Sequence, residues 1–82
     1  MTKLIDLVAA FRPYEEELRA YKPEAHTCEI YRDLGKAVTS YSLRNNIREV
    51  FVETWLNTCP PTDYAIIMTC LAESRIKITP IS

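Results

Sequence analysis

Eighty-two residues allow one domain and leave no room for a second. A chain of this size buries only roughly 60–65% of the surface its unfolded form exposes, so its core is marginal unless something adds to it. Ten basic and eleven acidic residues give a net charge of −1, which supplies no bulk attraction to phosphate backbones, and 48% apolar with 26% charged residues is a globular rather than a disordered composition. No apolar run approaches the roughly 20 residues that span a bilayer, and the N-terminus lacks a basic segment, apolar stretch and small-residue cleavage site. Read as a full-length product, the chain is expected in the cytoplasm, with no membrane partner. The single glycine, Gly35, argues against a strand-and-tight-turn protein, because primed hairpin turns need residues that tolerate positive φ.

The first segment has the clearest pattern. Leu4, Leu7, Phe11, Tyr14, Leu18 and Tyr21 recur at alternating spacings of three and four, which places all six on one helical face. Thr2 can cap the start. Pro13 removes a backbone donor and disfavours helix at Arg12, so a break is expected there, with Pro13 in the first turn of a new segment. Glu15, Glu16 and Glu17 then sit near a helix N-terminus, where negative charge is favourable, and Glu15 is placed to pair with Arg19. The reading is two nearly collinear helices, or one kinked helix, over 3–21.

Pro23 stops that element and opens the next. Ile30, Leu34, Ala37, Val38 and Tyr41 mark a helical stripe that ends at Asn45 and Asn46. Asparagine suits a left-handed C-terminal cap and also an N-cap; Asn46 with Glu49 has capping-box spacing. A third helix is expected to follow, with Ile47, Val50, Phe51, Thr54 and Trp55 on one side. Pro60-Pro61 is a firm stop. Thr62 then caps a fourth segment, roughly 63–75, whose apolar residues cover almost every direction around the axis, so it is expected to be buried all round. The tail Ile76-Lys77-Ile78-Thr79 alternates and meets Pro80, which suits an edge strand or extended arm. The expected fold class is all-α: a small four- or five-helix orthogonal or bundle-like domain with a short extended C-terminal tail.

The residues that carry chemistry are few. Cys28, Cys59 and Cys70 are an odd count with no zinc spacing, and read as free, largely buried thiols. His26 stands two residues before Cys28, and a Cys–His pair can activate a thiolate. No third orienting residue and no oxyanion-forming segment accompanies them, so no catalytic residue, metal ligand or cofactor site is assigned, and an enzyme is not expected. Trp55, Phe51 and the tyrosines, at helical spacing, read as core. A helix-turn-helix match fails at Gly35, where Lys36 and Tyr31 occupy apolar and small positions, and at Pro60-Pro61, where the following helix is apolar where base-reading side chains are needed.

Two functions remain. The first is a non-enzymatic protein-interaction module, a regulator, inhibitor or adaptor that binds another protein and itself, as a homodimer meeting through Leu4, Leu7, Phe11, Tyr14, Leu18 and Tyr21. Its basis is an apolar seam and an all-round apolar helix in a chain too short to bury both. The alternative is a nucleic-acid-binding regulator that uses Arg32, Lys36, Arg44 and Arg48, a basic stripe if 28–55 were one helix. Size and composition resemble those of small phage- or plasmid-encoded accessory proteins, a likeness of class that assigns no site residue.

Overall fold

The computed structural model describes residues 1–81. The N-terminal seam folds as two helices, α1 (Leu4–Ala10) and α2 (Arg12–Tyr21), which meet at Phe11, with Pro13 in the first turn of α2. Lys22 leaves α2 and bonds Asp33 at 2.7 Å, tying the turn to α3 (Thr27–Arg44). Strand β1 (Glu49–Glu53) and the short α4 (Thr54–Thr58) follow, then α5 (Thr62–Glu73) and strand β2 (Lys77–Ile81). Thr2 and Thr62 do not act as side-chain caps: Lys3 and Pro61 hold those positions, and Thr62 is the first residue of α5.

The fold is therefore mostly helical but not all-α. Five helices stand with a two-stranded parallel sheet among the described residues. The expected third helix is the point of failure. Ile47, Val50, Phe51, Thr54 and Trp55 fit a helical face, but Glu49-Val50-Phe51-Val52-Glu53 also alternates polar and apolar, and Val50 and Val52 are buried while their neighbours are not. Short apolar runs satisfy both periods. The decision is made by pairing with β2, in which Val50 lies opposite Ile78 and Phe51 opposite Thr79. Parallel strands need a long crossover, usually helical, and here α4 and α5 provide it.

Both strands are launched by the same device. Asn46 has φ 57° and Arg75 has φ 64°. After α3, Ile47 N–H reaches Ser42 O at 2.8 Å and Asn46 N–H reaches Leu43 O at 3.2 Å; after α5, Ile76 N–H reaches Leu71 O and Arg75 N–H reaches Ala72 O, both at 3.0 Å. These are paired Schellman caps, each followed by an isoleucine that turns back onto its helix. Asn46 thus ends α3 rather than capping a new helix with Glu49.

In the sheet, Lys77 N–H donates to Arg48 O at 3.0 Å, so residues 77, 79 and 81 address β1 and residues 78 and 80 face the outer edge. On the far side of β1, Phe51 N–H donates to Thr2 O at 2.8 Å, Lys3 forms a single bridge with Phe51, and Lys3 pairs with Glu53.

The core is aliphatic. Leu4, Val8, Leu34, Val38, Val50, Val52, Leu56, Ile67 and Leu71 are fully enclosed. The aromatics are not its centre, contrary to the sequence reading: Trp55 is 61% exposed and Tyr21 84%, while Phe11 and Tyr64 only pack against the core from outside. Gly35 lies inside α3 and marks no turn. It lets α3 approach α5 so closely that an added Cβ would stand 2.7 Å from Cys70 Sγ and 3.4 Å from Ile67 Cα.

Candidate functional site

Three groups of residues bear on function: the N-terminal seam, the basic residues and the surface that α5 leaves uncovered. Within one chain Leu4, Leu7 and Leu18 are buried, and Phe11 is packed against the core. Only Tyr14 and Tyr21 of the seam are exposed. Phe11 stacks edge-on against Tyr14 and Tyr41 at 6.3 and 5.7 Å, beside a shallow hollow of about 520 Å³ between α1 and the C-terminal half of α3.

The basic stripe is divided by the end of α3. Arg32 and Lys36 stay together, one turn apart on that helix. Arg44 occupies its last turn, where a cation meets the negative end of the helix dipole. Arg48 lies beyond the cap, against the start of β2. All four are exposed. Among the described residues Lys3, Arg12, Arg19, Lys22 and Lys77 each have a carboxylate within 4.0 Å, whereas Arg32, Lys36, Arg44, Arg48 and Arg75 have none. Half of the ten cations are thus held in structural pairs, and the other half have no carboxylate partner among the described residues. The structural ones tie helices together. Arg12 forks between Glu15 at 3.1 Å and Asp63 at 3.0 Å, joining α2 to the start of α5. Arg19 donates to Tyr31 Oη at 3.0 Å while pairing with Glu15 at 3.9 Å, the pair that its spacing implies.

Helix α5 is apolar nearly all round, but only Ile67 and Leu71 are buried. Ala65, Ile66, Met68 and Cys70 remain part-exposed, so the expectation of all-round burial does not hold. Ile66 and Cys70 join Leu43, 43% exposed, along a groove of about 570 Å³ between α3 and α5. Arg32, Lys36 and Ser40 bound it on the α3 side, and Glu73 on the α5 side. The Cys70 thiol is pushed above the ordinary thiol range by burial, with Glu73 adding to the shift and Lys36 and Arg32 pulling against it. It is therefore a neutral thiol near pH 7 and a poor nucleophile. Sequence reasoning missed this groove. The signals that could have found it were Gly35 inside a helix, read as close helix approach, and the apolar excess of α5.

The thiol and histidine readings change in one respect. Cys28 and Cys59 are exposed rather than buried, and no disulfide links the three cysteines. His26 is the exposed N-cap of α3 and makes no side-chain cap bond. Among the described residues no cluster of three histidine, cysteine or carboxylate side chains is placed to hold a metal, and no helix is long and apolar enough to cross a membrane. The chain matches no protein-family model, no curated protein and no solved structure.

Proposed function

We propose that this protein is a small non-enzymatic interaction module that binds another protein through the groove between α3 and α5. The observation that carries this reading is the apolar surface left over once the chain has folded. Ile66, Cys70 and Leu43 stay accessible along the groove although their helix neighbours Ile67 and Leu71 are already packed. An apolar strip rimmed by polar and charged residues is the make-up of a contact surface. The seam of residues 4–21 supplies less than the sequence implied, because its leucines are covered within one subunit. Of the seam, Tyr14 and Tyr21 remain exposed to a second copy of the chain.

A photo-crosslinking residue at Ser40, on the groove, tests this in the native host against the same residue at Glu24, in the exposed turn between α2 and α3 and outside the groove. The expected result is a discrete protein adduct from Ser40 that is absent from Glu24 and lost on Leu43→Glu. Identical adducts from both positions, or adducts with nucleic acid alone, would overturn the reading. The alternative, a nucleic-acid regulator, is supported by the five unpaired cations. Against it stand the net charge of −1 and the division of the stripe by the α3 cap.

A further inference from the structure

We propose that the α3–α5 groove takes an acidic amphipathic peptide segment of a partner protein, with apolar side chains on Leu43, Ile66 and Cys70 and carboxylates on Arg32 and Lys36. The inference rests on reading this face as a protein-interaction surface, and it adds the chemistry of the partner.

Charge complementarity sets the occupant. Arg32 and Lys36 are exposed, lie on the groove, and have no carboxylate among the described residues within 4.0 Å. They stand four residues apart, about 6 Å along the helix axis. That spacing matches carboxylates one turn apart on an incoming helix, or at alternate residues of an extended strand. Fixed cations beside an apolar strip favour a segment that carries acids on one flank and apolar residues on the other. Glu73 sets the direction. It lies on the α5 side and repels an acid there, so the acidic flank of the segment faces α3 and its α5 flank is neutral or basic. A nucleic-acid strand fits less well. The groove has no aromatic side chain on which a base could stack, and Glu73 on its α5 side repels a phosphate backbone.

Selection from a random-sequence peptide library on the immobilised full chain tests the inference directly. The expected peptides carry apolar residues at one-turn or alternate spacing with Asp or Glu on one flank. Arg32→Glu with Lys36→Glu weakens them by at least about tenfold, with helix content unchanged by circular dichroism. Glu73→Gln tightens them. In Cys28→Ser/Cys59→Ser protein, a bound peptide also slows alkylation of Cys70, which reports occupancy of the groove independently of charge. Peptides that protect Cys70 but are neutral or basic, or that ignore the charge reversal, overturn this inference and leave the interaction surface standing. Selected peptides that leave Cys70 unprotected, or no enrichment at all, overturn it, and absence of the Ser40 crosslink then removes the surface as well. A single-stranded oligonucleotide that protects Cys70 with steep salt dependence replaces the peptide with nucleic acid.

Discussion

Gly35→Ala is ordinarily a stabilising change in a helix, by about 1 kcal/mol in propensity. Here the new methyl would stand 2.7 Å from Cys70 Sγ and 3.2 Å from Cys70 Cβ. Relieving such a contact requires the sulfur to change rotamer or the helices to separate, and overpacking of this kind costs about 1–3 kcal/mol. Overpacking wins, and the net is a loss of about 0–2 kcal/mol. The decisive comparison is with Cys70→Ala. Removing the sulfur deletes the 2.7 Å contact and leaves a Cβ–Cβ approach that a shift of a few tenths of an ångström relieves. Gly35→Ala should then be neutral or stabilising by up to about 1 kcal/mol, which makes the coupling between the two positions positive and up to about 3 kcal/mol. Urea denaturation followed by circular dichroism on all four proteins measures it. Gly35→Ala stabilising the wild type by about 1 kcal/mol, or having the same effect in both backgrounds, would refute the close approach of α3 and α5.

Arg75 holds a left-handed conformation that costs a residue with a Cβ about 1–2 kcal/mol. Arg75→Gly should therefore raise stability by about 0.5–1 kcal/mol in thermal or urea melts, and Asn46→Gly by less, since asparagine already tolerates that region. Trp55→Ala should cost under about 1 kcal/mol, because the ring is 61% exposed, whereas Leu56→Ala beside it, fully enclosed, should cost about 2–5 kcal/mol; equal losses would contradict the placement of α4. The raised Cys70 thiol stabilises the fold at pH below the unfolded thiol value, and that contribution is lost as pH rises through the higher folded value. Stability should fall on alkalinisation, and Cys70→Ala should flatten that part of the pH profile.

What the sequence made legible was local. The break before Pro13, expected at Arg12 and found one residue earlier at Phe11, the placing of Pro13 in the first turn of α2, the Glu15–Arg19 pair and the stop at Pro60-Pro61 each follow from residues within one or two turns of each other. What it hid was decided at a distance. Val50 and Val52 have the same apolar spacing in a helix or a strand, and the partner that chooses between them lies 28 positions later, at Ile78 and Pro80. The α3–α5 groove was hidden for the same reason: the single glycine was weighed as a turn residue, while its use is to admit Cys70 from another helix.

The outer edge of β2 carries a further meaning. Proline at position 80 sits where the backbone faces away from β1, so its missing N–H costs the sheet nothing. It does remove one of the donors that an added strand would require. On the opposite edge, Thr2 and Lys3 already occupy part of β1. A two-stranded sheet in a small chain is an invitation to grow by strand addition, copy upon copy. Here one border lacks a donor at Pro80 and the other is partly covered by Thr2 and Lys3. Molecules that gather at high concentration are thereby steered away from fibrous pairing and toward contacts between side chains, and Pro80→Thr, which restores the donor, is the change that should first turn a soluble preparation turbid.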